Sequence, residues 1–158
     1  MIIAITILVL LLICLALLFI LKVYRDAIYR LRDSNAKKQE FYNVLCAWIK
    51  SYESNIQISQ YFIKHGYKKV LIYGMKEVGK FLYDDLKKNK EIIMIHAIDK
   101  SYMESCDSYS VSQPNETLPD ADVLVVTAIH YFNEIEEDMK KKVSCPIISI
   151  EDVVYSLL

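Results

Sequence analysis

The sequence predicts an α/β fold: a Rossmann-like parallel sheet of about five strands in the order 3-2-1-4-5, preceded by helices and one N-terminal transmembrane helix. Three observations predict it. From Lys68 to Leu158, short apolar runs alternate with helical stretches, the pattern of βαβ units. The runs carry few polar positions, so each strand is buried on both faces, as in a parallel sheet covered by helices. The first run, Val70–Tyr73, passes through a glycine turn, Gly74-Met75-Lys76-Glu77-Val78-Gly79, into a helix.

The elements follow in order. Residues 2–21 are apolar or nearly so and carry no charge, Thr6 being the most polar. At 1.5 Å per residue such a helix spans about 30 Å, the thickness of a bilayer core. A cleaved signal fits less well, because no Lys or Arg precedes the run, the run is long, and no small-x-small site follows. Residues 1–22 are therefore read as a retained anchor in contact with membrane lipid through residues 2–21. Lys22, Arg25, Arg30, Arg32, Lys37 and Lys38 come next, against Asp26 and Asp33. The positive-inside rule then makes this a single-pass membrane protein with its C-terminal domain cytoplasmic. The same basic stretch is topogenic and solvated, with attraction to anionic lipid as an addition.

Residues 23–66 form a helical linker with amphipathic helices. Tyr24, Ile28 and Leu31 share one face. Over residues 36–52, Phe41, Val44, Leu45, Trp48, Ile49 and Tyr52 recur at helical spacing, giving a face that needs a partner surface. That surface is expected to be the following domain; a protein partner is the alternative. A short helix over Ile58–His65 stops at Gly66, a natural residue to follow a helix end.

Residues 67–158 are the Rossmann-like, nucleotide-binding-type domain. Strands are expected at Val70–Tyr73, Ile92–Ile98, Val123–Ala128 and Pro146–Ile150, with a short edge strand near Tyr109–Val111. The helix Glu77–Lys88 should bury Val78, Phe81, Leu82 and Leu86. The helix Phe132–Lys142 carries its acids early and its lysines late, as the helix dipole favours. Glu151–Leu157 closes the chain as a helical turn.

Composition excludes several classes. The net charge is −1 overall, and with the basic stretch set apart the remainder is mildly acidic, a poor match to nucleic acid. Cys14, Cys46, Cys106 and Cys145 are widely spaced and form no CxxC pair, so they read as buried free thiols in a reducing compartment rather than as a disulfide or zinc framework. The sequon Asn115-Glu116-Thr117 matters only outside the cytoplasm.

The chemistry concentrates at the strand ends. In a dinucleotide site the first glycine permits the tight turn and the third permits close helix–strand packing. Gly74 and Gly79 hold those places. The middle place falls on Lys76, where the pyrophosphate needs bare backbone. Its ammonium can bind a phosphate or occupy the phosphate position and exclude a dinucleotide. Met75, Glu77 and Val78 complete the turn. Asp99, followed by Lys100, ends the second strand, where an acid holds ribose hydroxyls or simply caps a solvated turn. Thr127, Ala128 and His130 end the third strong strand, the edge where open α/β sheets bind ligands. His130 is a candidate to polarise a ligand or an inert loop residue. The set Tyr83-Asp84-Asp85-Leu86-Lys87 matches the Y-x-x-x-K pattern of short-chain dehydrogenases, but it falls on the first helix after the turn, away from any cofactor. No catalytic residue and no metal cluster is assigned.

Residues 59–158 resemble a bacterial domain that accompanies cell-surface polysaccharide biosynthesis. That domain is related to the nucleotide-sugar epimerase and dehydratase superfamily and is similar to Rossmann domains fused to sugar-modifying transferases. The resemblance is carried by Tyr61-Phe62, His65-Gly66-Tyr67, the turn Tyr73–Gly79, Ala97–Lys100, Leu118–Asp122, Val125–Phe132 and Cys145–Asp152. It implies NAD(P) or a nucleotide sugar as ligand. Lys76 departs from the glycine pattern, and the anchor and the 36–52 helix lie outside the resemblance. The leading expectation is a membrane-anchored, non-catalytic or weakly catalytic nucleotide-binding module of envelope polysaccharide synthesis. The alternatives are an NAD(P)-dependent sugar-nucleotide oxidoreductase or epimerase, and a ligand-free interaction module that docks a membrane enzyme.

Overall fold

A computed structural model of the chain describes residues 2–101 and 109–158. Cys106 lies outside the described residues. The chain divides into two compact units, Met1–Glu40 and Phe41–Leu158.

The first unit is helical. The helix α1 runs over Ile2–Glu53 and so continues into the second unit. Its N-terminal stretch is long and apolar enough to cross a membrane, and none of that window is buried against protein. Leu10, Leu15 and Phe19 are exposed. An apolar surface of this extent needs a cover of lipid or another chain. Cys14 also lies exposed on it, not buried as a core thiol. In the basic stretch, Lys37 pairs with Asp33 at 2.8 Å across one helical turn.

In the second unit, five parallel strands form one sheet in the order β3-β2-β1-β4-β5. They are β1 (Lys69–Tyr73), β2 (Met94–Ile98), β3 (Val111–Ser112), β4 (Val123–Val126) and β5 (Ile147–Ser149). The strand order agrees with the expectation. The boundaries are tighter. Residue 93 is a highly exposed isoleucine, so β2 starts only after it. The edge strand sits at Val111–Ser112 because its pairing partners are Ala97 and Ile98.

Alternate residues of the strands face two cores. Val70, Ile72, Ala97, Val123 and Val125 pack with the end of α1, α2 (Ser59–Lys64), α3 (Glu77–Lys87) and α4 (Ile150–Tyr155). Leu71, Tyr73, Ile98, Leu124 and Val126 pack with Ile135 and Met139 of a helix at Phe132–Met139. Both faces are thus covered, as β-branched strands without polar positions require. Each fully buried Val, Leu or Ile contributes roughly 1.5–3 kcal/mol.

The local signals explain the ends. Gly66 has φ +76°, and the amides of Gly66 and Tyr67 donate to Ile63 and Phe62, closing α2 in a Schellman turn. Ser149 Oγ accepts the Glu151 amide and caps the last helix. The helix at 132 is preceded by a 3₁₀ turn, Ile129–Tyr131, and stops at Met139, short of Lys142. At the N-terminal ends of β1 and β4, Asp122 Oδ2 accepts the amides of Lys68 (2.7 Å) and Lys69 (2.8 Å). Those two bonds, more than the nearby lysine charges, hold the Asp122 pKa below the ordinary carboxylate value.

Three burial expectations are corrected. Phe81 is 59 % exposed, because α3 meets the sheet through Val78, Gly79, Leu82, Tyr83 and Leu86. On α1 the buried seam is Val44, Ala47, Trp48 and Ser51, narrower than the apolar pattern; Ile49 and Tyr52 fall outside it. Cys46 is exposed rather than buried, and Cys145 is half-buried.

Candidate functional site

The parallel sheet puts the C-terminal ends of β1, β2 and β4 on one edge. Chain connection reverses direction between β1 and β4, which makes their junction the switch point where open α/β sheets bind ligands. Every predicted site residue follows one of these three strand ends.

The turn after β1 is built by exclusion. Gly74 has φ +97°, a conformation that disfavours any side chain, and its amide donates to Ile98 O at 2.8 Å. A Cβ there would meet Thr127 Oγ1 at 2.8 Å. A Cβ on Gly79 would lie 1.8 Å from Gly74 O, well inside any non-bonded contact. Both glycines are therefore required by the backbone itself. Thr127 fastens the other side. Its amide donates to Tyr73 O at 2.9 Å, and its hydroxyl lies 2.8 Å from Gly74 O and 3.1 Å from Tyr73 O, free to donate to either.

Asp99 holds the turn from β2. Its Oδ2 accepts the Met75 amide at 2.6 Å and its Oδ1 accepts the Ser101 amide at 2.7 Å. It is thus a built part of the turn and not a solvated tip. Each carboxylate oxygen keeps a second lone pair, which leaves room for a ligand hydroxyl. Burial, followed by the Asp99 charge, raises the pKa of the neighbouring Tyr73 phenol.

The remaining residues differ in orientation. Met75 is buried in the core that contains Val78. Lys76 is the exposed residue at which α3 starts, in extended backbone and with no side-chain cap. Its ammonium is thus on the surface beside the helix N-terminus, where amides have no intrahelical partners. Glu77 in the first turn brings the opposite charge. Lys100 is exposed at the same edge. Ala128 and His130 are half-buried, with His130 in the 3₁₀ turn. The turn, Asp99 and Thr127 come into direct contact; Lys100 and His130 share the edge with them. The double grip of Asp99 and Thr127 on the turn went unforeseen, because it rests on contacts 24 and 53 residues apart in the chain.

The Y-x-x-x-K set is structural. Tyr83 is buried, its hydroxyl accepts the Ser110 amide at 3.4 Å, and its ring meets Tyr109 edge-on. Among the described residues no group of His, Cys, Asp or Glu is arranged to hold a metal ion.

No curated protein and no solved structure matches the chain. A family model described as C2185-like, N-terminal, matches residues 66–147, just over half of the sequence. The matched region runs from the glycine that ends α2 to the first residue of β5, and it includes the glycine turn, Asp99 and Thr127. The chain belongs to the C2185-like, N-terminal family.

Proposed function

We propose that the sheet domain binds a nucleotide, dinucleotide or nucleotide sugar at the C-terminal edge of β1, β2 and β4, as a binding module rather than an enzyme. The observation that carries this reading is the fit of Gly79 against Gly74 O, 1.8 Å from where a Cβ would stand. That fit brings the start of α3 hard against the strand end, the arrangement in which a helix N-terminus receives a diphosphate. The residues suit NAD(P) or a nucleotide sugar. The Gly74–Gly79 turn would hold the diphosphate, the surface ammonium of Lys76 would neutralise it, and the spare lone pairs of Asp99 would take ribose hydroxyls. Bound NAD(P) would supply hydride chemistry, but the described residues at the edge supply a cradle and hydrogen bonds.

The setting has separate supports. The basic residues after the apolar span favour a cytoplasmic domain on a single-pass anchor. The place in envelope polysaccharide synthesis follows from the resemblance of residues 59–158. A second reading also has an observation behind it. The Met75 amide is already taken by Asp99 at 2.6 Å, so the turn is satisfied without a ligand and suits a scaffold that docks a membrane enzyme.

Thermal shift of the full chain in nanodiscs, with NAD, NADP and UDP-glucose, separates the two. A ligand present at a hundred times its dissociation constant adds about 2.7 kcal/mol. A shift that is lost in Lys76→Gly assigns the phosphate to the lysine. A shift that grows in that variant makes the lysine an obstruction. No shift with any of the three ligands overturns nucleotide binding for them and leaves the scaffold reading.

A further inference from the structure

Within the Phe41–Leu158 unit, a cavity of about 620 Å³ lies between the last turns of α1 and α3. Sites for small molecules fall in roughly the 300–1,000 Å³ range. Its walls include Leu45, Ile49 and Tyr52 of α1 and Phe81 of α3. Ile49 and Phe81 are 60 % and 59 % exposed, although both are large and apolar.

Two further lining residues, Trp48 and Asp85, are only 5 % and 7 % exposed. Each has one buried polar atom without a hydrogen-bond partner among the described residues: Trp48 Nε1, a donor, and Asp85 Oδ2, an acceptor. The other oxygen, Asp85 Oδ1, has the Lys88 ammonium at 3.5 Å, on a side chain that is mostly exposed. The Tyr52 phenol stands against both groups; its pKa is raised first by burial and then by the Asp85 carboxylate. It satisfies neither unpaired atom.

We propose that this groove binds a neutral amide carried on an apolar body. A donor for Oδ2 and an acceptor for the indole N–H are needed together. An ammonium offers no acceptor and a carboxylate offers no donor. A hydroxyl, already present on Tyr52, meets both demands through one atom and closes neither. An amide carries the two functions on separate atoms, and its apolar body would cover Ile49 and Phe81. Both unpaired atoms are shut off from solvent as the side chains stand, so the half-exposed Tyr52 ring is the part that swings aside. This site is independent of the nucleotide reading.

Trp48 is the chain's only tryptophan, so the full ¹⁵N-labelled chain in micelles gives one indole N–H resonance. It is titrated with hexanamide, hexanol, hexylammonium and hexanoate, which share one body length, and with N-acetyl-leucine methylamide, which carries only peptide amides. The expected result is a saturable downfield shift with an amide at an affinity at least tenfold above the other heads. A response to hexanamide supports a small ligand, and a response to the leucine probe supports a peptide segment. Asp85→Leu should remove the tenfold preference. Ile49→Asp, at an exposed wall position, should abolish binding with the fold intact, and it decides the matter if Asp85→Leu does not fold. Equal affinity for all heads, or a preference that survives both substitutions, overturns the proposal. An indole resonance unmoved by every probe also overturns it, since Trp48, Tyr52 and Asp85 then close on one another.

Discussion

The glycine turn and the groove between α1 and α3 lie in the same unit and obey opposite rules. At the turn, the backbone leaves no space for a side chain, and Asp99 and Thr127 take up the backbone groups around it. In the groove, large apolar side chains stand exposed and two buried polar atoms go unpaired. The turn is set by what cannot be there, and the groove by what has not been supplied. A region of the first kind tolerates almost no substitution. A region of the second kind tolerates many, because few native contacts depend on it.

Substitutions can break that contrast. The largest effect is expected from Gly79→Ala. Its Cβ would fall 1.8 Å from a backbone oxygen, which cannot turn away as a side chain can. The cost should reach or exceed about 3 kcal/mol, the upper end of ordinary overpacking, read as a fall in the thermal midpoint. A loss below 1 kcal/mol would mean that the turn gives way easily, and the contrast would fail. Thr127→Val keeps the shape and removes the hydroxyl that fastens Gly74 O. It should cost about 1 kcal/mol in denaturant unfolding, as one lost hydrogen bond does.

Acid sharpens the same comparison at the other end of the sheet. The folded-state pKa of Asp122 is depressed, so its stabilisation is complete above the unfolded value of roughly 3.9 and is lost as pH falls through the lower folded value. The carboxylate is near the surface, so solvent screening limits the effect to about 1 kcal/mol or less. Asp122→Asn should flatten the acid limb of a stability–pH curve; an unchanged limb would remove Asp122 from the account. The smallest effect is expected from Phe81→Ser in the groove. With the ring mostly in solvent, the change should stay within about 0.5 kcal/mol. A larger loss would show that the groove is packed like the rest of the core.

The sequence carried these two regions unequally. The strands, their order and the glycine turn were legible, because β-branched runs, Gly74 and Gly79 each have a local physical reason. Asp99 was placed at the right strand end, but its bond to the Met75 amide was not, since that contact depends on β2 lying beside β1. Ile49, Tyr52 and Phe81 were misread for one shared reason. Apolar spacing shows that a helix has an apolar side; it does not show how wide a seam the neighbouring elements cover. The pairing of Trp48 with Asp85, 37 positions along, left no trace in spacing at all.

The Thr127 clamp also sets an order of events during synthesis. It joins residues 53 apart, and β4, from which it comes, is one of the two neighbours of β1. At roughly 5–20 residues per second, a ribosome delivers β4 about 3–10 s after β1. For that interval β1 has at most one paired edge, and its turn can form without being held. An unpaired apolar strand edge is a template for wrong partners. The nascent chain is therefore most open to misassembly, and most in need of a chaperone, after the glycine turn has been made and before Thr127 arrives to secure it.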